Sequence, residues 1–222
     1  MAITYPRPFL PKLFSASFEL DESVVQAPEQ GGDTPAARMG QPRWAGQFQT
    51  SLLDNRKLGQ VSAWLDSLGD GLFEFYAHDP KRPFPLAYPS GFAGMDRAAG
   101  GAFDGTFTSW SVDVETRALL IGAGLPADFE FNERDSAAFE WINDGPRRFL
   151  VRLLEAQTAN EDGEITAIQF TPALPAFVPS DAVLNLDRPS CIMKLIPGSK
   201  QVPLQAGENT RASFSAMQVV KA

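Results

Sequence analysis

The chain has 222 residues, 44% apolar and 21% charged, with a formal charge of −8. That acidity lacks the basic footprint with which a protein neutralises nucleic-acid phosphates, and the single cysteine, Cys191, excludes an internal disulfide or a cysteine metal cluster. No run approaches the ~20 apolar residues of a membrane span. The opening Met1-Ala2-Ile3-Thr4-Tyr5-Pro6-Arg7-Pro8 lacks the apolar core of an export signal, so synthesis in a cytoplasm without general export is expected.

Eighteen Gly and eighteen Pro suit many short strands joined by turns, and seventeen Phe against three Tyr assign the aromatics to burial. Pro6, Pro8 and Pro11 make residues 1–11 an extended arm. Phe14, Ala16, Phe18 and Leu20 alternate with Ser15, Ser17 and Glu19, the period of a half-buried strand. The polar stretch 21–41, with Gly31-Gly32-Asp33-Thr34-Pro35, reads as a long loop. Alternation returns at Trp44, Gly46, Phe48, Thr50 and Leu52.

The clearest helix follows. Asp54 is placed to cap it, and Leu58, Val61, Leu65 and Leu68 form its apolar stripe together with Trp64. Gly69 stands where a left-handed terminus is expected. Residues 71–77 read as the strand leaving it. Strand, strand, helix, strand predicts a helix laid on a sheet. Pro80, Pro83, Pro85, Pro89 and the five glycines of 91–105 then mark a long loop or boundary. Beyond it, short strands are expected at 106–112, 117–122, 128–131, 138–142, 148–157, 164–171, 191–196 and 214–220, with a hairpin turn at Asn160-Glu161-Asp162-Gly163. The expected fold class is α+β, mainly β. An arm (1–11) precedes an α+β domain (12–90), a Gly-rich boundary (91–105) and a small β-barrel or sandwich domain (106–222).

Chemistry-bearing residues are few. His78, the single histidine, ends a strand beside Asp79-Pro80 with no nucleophile in sequence context, and reads as structural. Cys191 lies in the apolar run Cys191-Ile192-Met193 and reads as a buried hydrophobe. Asp128, Glu130, Glu133, Asp135, Glu140 and Asp144 crowd one stretch against Arg134 alone. Their spacing fits no EF-hand. Glu130 and Glu140 alternate with Phe129, Phe131, Phe139 and Trp141, as on solvated strand faces, although two such carboxylates are also the equipment of a glycoside hydrolase. Trp44 and Trp64 read as core. Trp110 and Trp141 are open between core and an exposed, sugar-binding or protein-binding surface. No catalytic, cofactor or metal residue is assigned, and no enzyme is expected.

Several landmarks recur in an order that is similar to siphophage tail-tip proteins, the distal-tail or minor-tail family. They are Trp44-Ala45-Gly46-Gln47-Phe48; Ala63-Trp64-Leu65-Asp66-Ser67-Leu68-Gly69-Asp70-Gly71-Leu72-Phe73-Glu74-Phe75 with Asp79-Pro80 after it; Gly122-Ala123-Gly124-Leu125-Pro126-Ala127-Asp128; Arg147-Arg148-Phe149-Leu150-Val151; Gly163 to Pro172; and Pro189-Ser190-Cys191-Ile192-Met193. The loop from Ala27 to Pro42 and the Gly-rich 91–105 stretch depart from the family pattern. The resemblance implies a tail-tube-like virion protein of the tail tip, assembled in the host cytoplasm. It further implies a ring, of six copies in preference to three, contacting the tail-tube protein, the tail hub or baseplate, and the tape measure, with DNA passing transiently through its channel. The arm at 1–11 and the loops at 21–41 and 80–105 are then expected to order on neighbouring subunits. A carbohydrate-binding β module of the tail tip, or a glycan hydrolase, are the alternative readings.

Overall fold

The computed structural model describes residues 4–9, 14–26, 36–203 and 210–221. Residues 1–3 and 10–11 of the expected arm, and Gly31-Gly32-Asp33-Thr34-Pro35 of the expected loop, lie outside them. In chain order the elements are β1 (Phe14–Asp21), β2 (Val24–Gln26), β3 (Ala36–Arg38), β4 (Arg43–Thr50), α1 (Asn55–Asp66), β5 (Glu74–Ala77), β6 (Thr106–Phe107), β7 (Ser109–Val112) and β8 (Leu119–Ala123). There follow β9 (Glu130–Phe131), β10 (Ser136–Ile142), β11 (Pro146–Leu153), β12 (Gln157–Thr158), β13 (Glu164–Thr171), β14 (Val183–Asn185), β15 (Cys191–Leu195) and β16 (Ser213–Gln218). The fold is α+β and mainly β, as the alternation predicts.

The chain divides into two compact units, one built from Leu13–Glu74 together with Met193–Val219, the other from Met1–Lys12, Phe75–Ile192 and Val220–Ala222. In the first, the strand order is β1-β4-β16-β15, with β5 beginning at Glu74 at the end of the order. β1 and β4 pair antiparallel in unbroken register from Phe14↔Thr50 to Asp21↔Arg43, and β16 pairs antiparallel with both β4 and β15. The alternation of β4 turns Trp44, Phe48 and Thr50 inward. Phe48 stacks on Phe214 at 4.9 Å, and Trp64 of α1 meets the same ring at 5.9 Å.

Helix α1 starts where the sequence places it. The Asp54 carboxylate accepts the Lys57 backbone N–H at 2.9 Å, satisfying one of the first-turn donors. Leu58, Val61, Trp64 and Leu65 are its buried face. Gly69 is left-handed (φ 57°) as expected, but α1 ends at Asp66, and the strand expected from residue 71 begins only at Glu74. Between them Gly69–Gly71 form a short 3-10 turn, with Asp70 also left-handed (φ 50°).

The second unit carries a seven-stranded sheet, β6-β14-β10-β11-β13-β8-β7, and a small ladder of β9 with β12. Its outermost strands, β6 and β7, are separated in sequence by Thr108 alone, so the sheet must curl until its edges meet. Side chains agree: Trp110 on β7 donates its indole N–H to the Ala182 carbonyl beside β14, at 2.6 Å. The curled sheet encloses an aromatic core that includes Phe107, Phe129, Phe139, Phe149 and Phe170. This is the barrel-like form that short strands with frequent turns predict.

Four expectations are corrected. The division between units is discontinuous, because 213–218 joins the sheet of β1 and β4 instead of the later β domain. The 80–105 stretch is no free loop: Phe92 and Phe103 are buried in the second unit's core, with Phe84, Tyr88 and Met95 packed against it. The described part of the N-terminal arm also binds within its own unit, where Tyr76 donates its N–H to Arg7 (2.9 Å) and Phe9 stacks on Phe75. The 21–41 stretch contains a ribbon, β2 paired antiparallel with β3. β14 joins the strands that the sequence did not reveal, and the expected strand 148–157 splits into β11 and β12.

The glycines set two opposite expectations. Gly163 closes the predicted turn with φ 71°, its N–H bonded to the Asn160 carbonyl at 2.9 Å, and an added Cβ would lie 2.1 Å from the Leu125 carbonyl oxygen. Gly163→Ala should cost about 2–4 kcal/mol, through backbone strain plus this clash. Gly59, inside α1 with open space around it, should tolerate Ala and gain about 0.5–1 kcal/mol. Urea denaturation of both variants checks the pair; similar shifts of one sign would contradict these backbone assignments.

Candidate functional site

The six clustered carboxylates do not form one acidic face. Asp128, Glu130, Glu133 and Asp144 are exposed, as a solvated face requires, but Asp135 is buried at 1% exposure. Its two carboxylate oxygens accept the backbone N–H groups of Leu86 (3.0 Å) and Asn132 (2.8 Å), with the Arg82 guanidinium 3.9 Å away. Burial pushes this carboxyl up from its usual range, against the pull of those donors. Asp135 is therefore a clasp that holds the Pro-rich stretch onto the sheet. Among the described residues, no group of three or more His, Cys, Asp or Glu side chains is arranged to hold a metal ion.

Trp44 and Trp64 are buried, as expected. Cys191 is fully buried, and burial raises its thiol pKa, which leaves it without the thiolate that reactivity needs. His78 is also buried, edge-on to Phe9 at 5.4 Å, and its Nε2 has no hydrogen-bond partner. Trp110 is half-buried, edge-on to Phe139 at 4.7 Å.

Trp141 has a different setting. It lines an open groove of about 860 Å³ formed by the end of the β10–β11 hairpin and the segment 177–183 that leads into β14. The hairpin turn is tight, with Asp144 (φ 47°) and Gly145 (φ 109°) both left-handed, and it carries Asn143 and the 86%-exposed Ile142 to the groove. Phe177 backs Trp141 at 6.3 Å.

The groove's charged groups fall into two sets. Glu140 is engaged: it bonds Arg148 at 3.2 Å and accepts the Asn185 amide at 2.9 Å. Arg148 also donates to the Ser190 hydroxyl and lies over the Tyr76 ring at 4.1 Å. Arg147 and Asp181, by contrast, have no ion-pair partner among the described residues. Arg147 donates only a long bond of 3.4 Å to the Pro146 carbonyl, and its buried Nε has no acceptor. Of the residues weighed in the sequence, the groove gathers Trp141 and Glu140. It adds Phe177 and Asp181, which sit in the Pro-rich segment 172–179 and just after it, where no periodicity marks them. The groove thus brings together an aromatic side chain, a guanidinium and a carboxylate.

His78 gives a pH expectation. Burial, and secondarily the Arg188 charge, lower its pKa from 6.5 to about 4. Between these values the unfolded chain takes up a proton that the folded chain refuses. Stability present above pH 6.5 is thus lost as pH falls, with the loss complete below about pH 4 and on the order of 3 kcal/mol. Urea midpoints should fall across this window in the wild type and much less in His78→Leu; equal slopes would overturn the assignment.

No protein-family model matches the chain, and no curated protein is significantly similar to it.

Proposed function

We propose that this protein is a structural subunit of a phage tail tip, of the distal-tail or minor-tail class, which closes with copies of itself into a ring. Six copies are favoured over three. The ring would join the tail tube to the hub or receptor-binding parts, adjoin the tape measure, and leave a channel for DNA. The chain's net charge of −8 suits that role, because an acidic protein repels phosphates and lets the duplex pass without sticking.

One observation carries the proposal. The β2–β3 ribbon rises from the ends of β1 and β4 with every one of its six residues exposed. Val24 is 46% exposed, Val25 55%, and the adjoining Met39 74%. A two-stranded ribbon is marginal in water by itself, and large apolar side chains grouped on one mark a contact surface. A neighbouring copy is the occupant that a closed ring supplies to every ribbon at once. The order of landmarks shared with tail-tip proteins points the same way.

The wild type should form rings by negative-stain microscopy and sediment as an oligomer. The triple variant Val24→Asp, Val25→Asp, Met39→Asp should sediment as a monomer, with its melting temperature within a few degrees of the wild-type monomer's. A wild type that stays monomeric at all accessible concentrations, or rings that survive the triple substitution, would sink the proposal.

A further inference from the structure

The geometry points to a second function: the groove of the β10–β11 hairpin binds a neutral hexopyranose glycan, with Trp141 as the stacking platform and Arg147 and Asp181 as the hydroxyl-binding pair. The inference is independent of ring formation, since every residue in it belongs to one unit of one chain.

The ligand class follows from what the groove leaves unsatisfied. A half-buried indole backed by Phe177 presents apolar area at the wall of a polar groove, which suits the C–H face of a sugar ring. Arg147 lines the groove, and of its Nη groups one makes only the long bond to Pro146. Those Nη groups keep donors that a ligand's oxygens can take up. Asp181, exposed in the groove lining, is an acceptor without an ion-pair partner among the described residues. Sugar hydroxyls both donate and accept, so a polyol in the groove can meet both kinds of group.

Charge decides between neutral and ionic ligands. Glu140 and Arg148 cancel each other at 3.2 Å, leaving Arg147 and Asp181 as one free charge of each sign. A polyanion would gain from the arginine and lose at the aspartate, and a polycation the reverse. A neutral polyol meets no repulsion. The groove is also open and about 860 Å³, room for more than one ring, so an oligosaccharide fits better than a monosaccharide.

The full-length protein is to be titrated with maltohexaose, chitohexaose and dextran oligosaccharides, and with oligomannuronate as the acidic comparison. Calorimetry and tryptophan fluorescence are the readouts. At least one neutral probe should bind and perturb the fluorescence. Trp141→Ala and Arg147→Ala should each weaken that binding by about tenfold or more. Trp141→Phe should lose less, because a ring remains. Glu130→Gln, on β9 and outside the groove, should bind like wild type. Unchanged thermal melts of Trp141→Phe and Arg147→Lys, read alongside their weakened binding, separate a site effect from misfolding. The assignment is overturned if no neutral probe binds at millimolar concentration, if only oligomannuronate binds, or if binding survives both alanine substitutions. It is equally overturned if those substitutions alter the oligomeric state and leave glycan binding intact.

Discussion

The first unit depends on one strand that arrives last. Residues 213–218 insert as β16 between β4 and β15, and Phe214 is the ring on which both Phe48 and Trp64 rest. Without it, α1 would face a two-stranded hairpin, too little surface to bury Leu58, Val61, Trp64 and Leu65. The whole of Phe75–Ile192 lies in sequence between β4 and this closing strand. Such an insertion is tolerable because closure entropy grows only logarithmically, about 0.6 kcal/mol for each doubling of the loop. It needs only that the inserted segment has a core of its own, and the curled seven-stranded sheet provides one.

That curl explains the pattern of legibility in the sequence. β1, β4 and α1 are readable because each has one wet and one dry side, so burial writes a period of two or 3.6 into adjacent residues. The 80–105 stretch follows a different rule. Its buried residues, Phe92 and Phe103, are placed by glycine turns such as Gly105, where a Cβ would collide with the Phe92 ring at 2.5 Å. Burial there is set by turns instead of period, so the stretch looks like a loop. β14 is hidden for a related reason: with three residues it is too short to show alternation. The return of β16 was invisible because register between strands distant in sequence leaves no local mark.

The groove was half-readable. The sequence leaves Trp141 open between core and an exposed surface, and in the fold it is half-buried where Trp44 is fully buried. The role of Arg147 was not readable, because Arg147-Arg148 look alike in sequence. Only the fold shows that Arg148 is engaged by Glu140, Ser190 and Tyr76 while Arg147 has no ion-pair partner among the described residues. The acidic cluster misled in the same way. Asp135 and Glu133 are two residues apart, yet one clasps backbone amides in the interior and the other is in solvent. Composition counts charges; it cannot say which have been desolvated.

The ribbon sets the remaining physical demand. Its ion pair, Arg38 with Glu22, is about half exposed on both sides, and such pairs contribute about 0–1 kcal/mol. Ordering a single residue's backbone costs about 1–2 kcal/mol, so the ion pair cannot hold β2 and β3 in place. Covering the exposed half of Val24 or Val25 would contribute about 1 kcal/mol each, the same scale as the ordering cost. The side chains that could stabilise the ribbon are therefore the ones its own chain leaves in water. The proposed ring would resolve this without any new chemistry: each copy's ribbon would gain its cover from the next, and closure would give every ribbon the same cover. In that proposal, ordering of the ribbon and assembly would be a single step.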